Sequence, residues 1–219
     1  MRQVLLRYFA YALLVFGVML SLLLIADRTA SGLNFDAQLA GLNIQTSELS
    51  PVELLQHTLL LISAALFAMV GFRDPLRRPM AFTLSLVLAA CFVRELDFFL
   101  DFYGMDNLWQ VLCGVLIAAN CVYGIRHRVG LVQGWRRSWP SAGLAMLLAG
   151  FIMLVPFAQM VGHEGLWRAI LADDYLRVVK VVAEEFVELG AYLLITIGAI
   201  EFVYAWSRLP RRSRRQAEG

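Results

Sequence analysis

Three short strings carry the residues able to do chemistry. Lys180-Val-Val-Ala-Glu184-Glu185-Phe-Val-Glu188 runs into an apolar stretch, Arg94-Glu95-Leu-Asp97 closes another, and Glu53…His57 opens a third. An imidazole with carboxylate oxygens suits zinc, manganese or iron, and carboxylates with carbonyls suit calcium or magnesium. A divalent metal ion is the cofactor such a set implies, with His57, Glu95, Glu184 and Glu188 as its ligands. Glu184 and Glu188 lie four residues apart, so one helical face could present both. The candidate catalytic residues are Glu95, Arg94 and Asp97. Glu95 would serve as ligand or general base, and Arg94 would hold an anionic head group. Metal-activated water attacking a lipid or lipid-linked substrate is the reaction that fits. No H-E-x-x-H string accompanies these residues.

The same spacings also serve structure. Arg94, Asp97 and Asp101 would share a face of one continuous helix, and Lys180 would pair with Glu184. His57 and Glu95 could be a hydrogen-bonded pair that fastens two helices. Ser50-Pro51-Val52-Glu53 reads as a capping box with proline at the first helical position, which accounts for Glu53. Gln110 and Asn120 suit hydrogen bonds between helices. Cys91, Cys113 and Cys121 lie inside apolar runs without metal-ligand spacing.

The elements that must position these residues are membrane helices. Of 219 residues, 60% are hydrophobic and 16% charged, where a soluble domain carries about 25% charged residues. The apolar residues gather into long runs rather than alternating, which excludes a membrane barrel. The runs give an all-α, polytopic bundle of six transmembrane helices: Tyr8–Ala26, Pro51–Phe72, Met80–Leu100, Leu108–Ile125, Trp139 to about Met160, and a last helix to about Trp206. Asp173 or Asp174 is expected to cap that last helix, and Pro156 to kink the fifth. Residues 126–139 read as a basic connector, and Leu166, Trp167, Ile170 and Leu171 as an interfacial patch. Residues 1–207 form one transmembrane domain and 208–219 a basic tail, with no internal repeat. No soluble module carries a basic recognition surface, so nucleic acid is not an expected partner.

Orientation follows from arginine. Arg2, Arg7, Arg73, Arg77, Arg78, Arg126, Arg128, Arg136, Arg137 and the tail arginines hold most of the 19 basic residues on the N-terminal side. The positive-inside rule places both termini in the cytoplasm and the acidic residues outside. At 1.5 Å per residue, His57 is about 24 Å above Arg73, Glu95 about 24 Å above Pro79, and Glu188 about 30 Å above Arg208. Against a hydrocarbon layer about 30 Å thick, these residues share the outer edge.

Two other functions fit the same acidic edge. A cation- or proton-coupled transporter would use the intramembrane acids as a relay, although the two halves of the chain do not match as an inverted repeat. A non-catalytic subunit would present that edge to another membrane protein. The order of Glu53, Arg94-Glu95-Leu-Asp97 and Val182-Ala-Glu184-Glu185-Phe-Val-Glu188-Leu-Gly190 resembles a loose group of uncharacterised bacterial multi-span proteins. Those carry an acidic residue opening one helix, an R/E-E-x-acidic segment closing another and a final E-E-x-x-E helix. The resemblance implies a bacterial inner membrane and a shared outer-leaflet site. The expected partners are membrane lipids, with a lipid-linked substrate or another membrane protein beside them.

Overall fold

The computed structural model describes residues 2–28, 51–103 and 106–207, and every regular element among them is helical. In order these are α1 (Arg2–Arg28), α2 (Pro51–Arg73), α3 (Arg78–Glu95), α4 (Asp97–Tyr103), α5 (Leu108–Arg126), α6 (Arg128–Ser138), α7 (Ala142–Ile152), a π turn (Met153–Phe157), α8 (Ala158–Val161), α9 (Glu164–Leu171) and α10 (Arg177–Ser207). Among the described residues, five stretches are long and apolar enough to cross a membrane: Val4–Ile25, Pro51–Arg73, Leu108–Arg126, Ala142–Val161 and Val179–Ser207. The expected start of the Pro51 helix at Ser50, and the tail 208–219, lie outside the described residues.

Three expectations need correction. The helix expected over Met80–Leu100 is broken at Leu96, which leaves helical geometry (φ −94°, ψ 14°). The Leu96 amide donates to Val93 at 3.2 Å, a tightened bond of the kind that closes helices, and Asp97 starts α4 with a carboxylate in its first turn. The i, i+3, i+7 face of Arg94, Asp97 and Asp101 therefore does not exist as one helical stripe. Secondly, the basic connector is itself helical, as α6. Neither Asp173 nor Asp174 caps the last helix, thirdly: residues 172–174 form a separate 3-10 turn, and α10 starts at Arg177. Pro156, expected to kink the fifth helix, sits in a π turn, a wider coil with i→i+5 bonds.

The chain divides into two compact units. One comprises residues 57–157 and 190–219. Its core is built from Leu60, Phe67 and Val70 of α2, Met80, Leu84 and Leu88 of α3, Leu144 and Leu147 of α7, and Ile195 and Ala199 of α10, all buried. Small residues bring α7 and α10 together. A Cβ added at Gly143 would lie 2.7 Å from the Phe202 nitrogen, and one at Gly150 would lie 3.0 Å from the Ala191 carbonyl oxygen. Close backbone approach through small residues replaces the missing hydrophobic drive between helices in lipid. Ser141 caps α7, its hydroxyl accepting from the Leu144 amide. At the arginine-marked end, α6 packs on the start of α3, with Gly130 against Pro79 and Gly134 against Met80. Arg77 there bonds both Asp74 (2.8 Å) and Ser138 (3.3 Å). By contrast α5 buries none of its residues and is a peripheral helix of this unit.

The other unit comprises residues 1–56 and 158–189. Leu22 of α1 is buried, and a groove of about 530 Å³ runs beside it, lined by Leu13, Gly17 and Ser21 of α1 with Pro51 and Leu55 of α2. His163 caps α9 by accepting from the Gly165 amide. The Trp167 indole donates to the Val161 carbonyl. Arg168 pairs with Glu164 and lies over the Tyr175 ring at 5.0 Å. Ile170 remains exposed, as an interfacial patch requires.

Candidate functional site

Within the first unit, polar groups converge on Glu95, the last residue of α3. Its carboxylate is mostly withdrawn from the surface, at 13% exposure. The Tyr192 hydroxyl of α10 donates to Oε1 at 2.8 Å, and the Arg94 guanidinium donates to the same oxygen at 3.0 Å. A carboxylate removed from water needs such partners, and charged hydrogen bonds are the stronger ones. The backbone oxygen of Glu95 is engaged as well. It lies among the terminal carbonyls of α3, which seek partners outside the helix ladder. His57 Nε2 is 2.9 Å from that oxygen.

That contact fixes the histidine tautomer. A carbonyl only accepts, so Nε2 must carry the proton, and in the neutral ring Nδ1 is left as the basic nitrogen. The Phe92 ring stands edge-on to the imidazole, with centroids 6.0 Å apart, and holds its plane. An imidazole oriented through one N–H by a backbone carbonyl is the arrangement that supports a general base or a metal ligand at its other nitrogen.

Further along α10 the polar groups become structural. Ser63 and Thr196 face each other at 2.9 Å and are fully enclosed. Each also reaches a carbonyl four residues back, Leu59 for Ser63 and Tyr192 for Thr196. Each hydroxyl has a single proton, so where one of the pair donates to the other it fastens α2 to α10, while the other proton stays on its own helix. Ser85 does the same for α3, donating to the Ala64 carbonyl. Glu201 is buried nearer the end of α10.

In the second unit, the expected residues of the last helix sit with groups from α2. Lys180 pairs with Glu184 at 3.0 Å, both about a quarter exposed. Glu184 also leans on Gly162, where any Cβ would collide with its carboxylate. Gln56 is 1% exposed, and its amide nitrogen donates to both the backbone and the carboxylate of Glu185. Glu53, in the first turn of α2, and Glu188 are buried in this unit too.

His57, Glu95 and Arg94 are thus brought together, with Asp97 one residue beyond the break, in the first turn of α4. Glu184 and Glu188 belong to the other unit. Among the described residues no group of three or more His, Cys, Asp or Glu side chains is arranged to hold a metal ion. The expected four-ligand set finds no geometric support. Two participants escaped the sequence reading. Tyr192 follows Glu188 by four residues in an otherwise aliphatic run, and Gln56 follows Glu53 by three, so helical spacing from an acidic residue was the signal available.

The last feature of the first unit is a furrow of about 330 Å³ between α3 and α5. Arg94 lines it together with apolar side chains, cysteines and Asn120, whose Oδ1 is buried without a hydrogen-bond partner in the protein. No protein-family model matches the chain, and neither does any curated protein or solved structure.

Proposed function

We propose that this chain is a bacterial inner-membrane protein with six spans and both termini in the cytoplasm. Its cluster around Glu95 works at the periplasmic face on a lipid or lipid-linked substrate. The carrying observation is the withdrawn Glu95 carboxylate, held by Tyr192 and Arg94, with its own carbonyl orienting His57 so that Nδ1 is basic. A mostly withdrawn acid, an oriented base and an arginine together supply proton transfer and anion recognition. The sixth span is α3, whose charges sit only at its ends, Arg78 at one and Arg94-Glu95 at the other. His57 Nδ1 would take a proton from water or a substrate hydroxyl, and Arg94 would hold the head group. A divalent ion remains the cofactor suited to the residue types. With no converging ligand set among the described residues, a substrate phosphate would have to complete its shell.

The test is lipid turnover by detergent-purified protein, followed by mass spectrometry of a bacterial lipid extract with and without chelator. Glu95→Gln and His57→Gln should each lose at least 100-fold in turnover. His57→Gln retains a donor toward the Glu95 carbonyl but has no basic nitrogen, so it should fold. Gradient-driven flux in liposomes that Glu95→Gln abolishes would replace this reading with the transporter. Stable co-purification of a membrane protein, without turnover, would replace it with the assembly subunit.

A further inference from the structure

We propose that the furrow between α3 and α5 seats one acyl chain of an anionic phospholipid, whose phosphate rests on Arg94. This rests on the lipid-directed reading above and names the substrate class and its path into the site. Three features of the furrow carry it. Its walls are apolar: Val87, Ala90 and Cys91 from α3 face Leu116 and Ile117 from α5, with Asn120 closing one end. Its other end carries Trp109 and Arg94, an indole and a guanidinium at one level, the pairing that marks a membrane interface. Arg94 is 48% exposed there, so its positive charge is presented at the mouth while one nitrogen bonds Glu95.

Size and charge select the occupant. The volume of about 330 Å³ lies in the range of small-molecule sites. From Trp109 to Asn120 the furrow runs about 16 Å along α5, at 1.5 Å per residue. A long, narrow, apolar slot of that length fits an extended hydrocarbon tail. The Arg94 guanidinium matches a phosphodiester; a zwitterionic phospholipid carries that group too, but adds a head-group ammonium that Arg94 repels, so a lipid without that ammonium is the better occupant. A tail seated there puts the phosphate beside the Arg94–Glu95 pair, within one residue of the carbonyl that orients His57. The peripheral α5 thereby acquires a role, as the second wall of an entry from the bilayer.

The test uses brominated lipids, which quench tryptophan fluorescence on contact. The protein is placed in bilayers doped with phosphatidylglycerol or phosphatidylcholine carrying bromine on the acyl chains, at equal mole fraction. Subtracting the Trp109→Phe variant isolates the Trp109 signal. Phosphatidylglycerol should quench Trp109 severalfold more effectively than phosphatidylcholine. Arg94→Gln should erase that difference, and Ala90→Phe, which fills the slot, should reduce quenching by both lipids. Val87→Phe replaces Ala90→Phe if the latter does not fold, and Arg94→Gln alters a half-exposed side chain. Equal quenching by the two lipids in the parent, or an unchanged difference in Arg94→Gln, would overturn the proposal. Failure of the catalytic reading looks different: the phosphatidylglycerol preference would stand while no lipid was turned over. Turnover without the preference would leave the reading and remove the furrow.

Discussion

At the scale of single residues, Glu95 is placed so that its side chain and its backbone serve different partners. The carboxylate answers to Tyr192 and Arg94, and the carbonyl to His57. Removing the tyrosine hydroxyl should therefore be felt at Glu95. In a double-mutant cycle, Tyr192→Phe and Glu95→Gln should couple by about 0.6–1.7 kcal/mol, the range for hydrogen bonds between membrane helices. Unfolding in detergent measures this, and additive losses would show that the 2.8 Å contact contributes nothing. The sequence made Glu95 and His57 legible because a charge and an imidazole inside apolar runs need a reason to be there. It could not make Tyr192 legible in the same way. A tyrosine is at home in a membrane helix, and its partner lies 97 positions away, a distance that only the packing of α10 closes. The pairing of Lys180 with Glu184 was readable because it is local.

The elements were legible wherever an apolar run was long and its ends were charged. They failed where the backbone itself decides. Nothing in Met80–Leu100 forbids a continuous helix, yet Leu96 breaks it, because the last turn of α3 tightens and Asp97 favours a new first turn. Likewise residues 126–139 look like a charged loop until α6 finds Pro79 and Met80 under its two glycines. Those small-residue contacts set the second prediction. At Gly143 and Gly150 an added side chain meets backbone atoms of α10, which cannot swing aside. Gly143→Val or Gly150→Val should cost at least 1–3 kcal/mol through overpacking. Gly17→Ala and Gly114→Ala, where a Cβ meets nothing within 4 Å, should instead raise stability by about 0.5–1 kcal/mol through helix propensity. Melting temperatures of the four variants separate the two classes, and a uniform response would refute the close contact of α7 with α10.

For the whole molecule, the number of crossings is tied to the distribution of charge by parity. Five crossings put the termini on opposite faces, whereas six put them on one. Arg2 stands before the first apolar stretch, Arg7 lies in its first turns, and five arginines follow the last. Both ends thus ask for the cytoplasm, and only an even count satisfies them. The helix that would complete an even count is α3, whose interior carries no charge between Arg78 and Arg94. Reporter fusions after Ala40, Asp106 and Gly165 should read periplasmic, and those after Arg78, Gly130 and Arg215 cytoplasmic. A cytoplasmic signal at Asp106 with a periplasmic one at Gly130 would mean that α3 does not cross. Charge and hydropathy are what the expectation of six crossings rests on, since the bilayer acts on both directly. The division into two compact units is written in no run of residues, because it cuts through α2 and α10 rather than between elements.

The π turn at Met153–Phe157 has a consequence for the history of the chain. A π turn holds one residue more than the α turn it interrupts. It behaves as a stored insertion, retained in place rather than passed on. Loss of a single codon there would return the coil to ordinary pitch and leave the facing of the flanking residues nearly unchanged. The same loss within Ala142–Ile152 would turn every later residue of that helix by about 100° and carry Gly150 away from Ile195. Lineages of this chain should therefore differ in length by one residue at Met153–Phe157 more readily than anywhere else in the span.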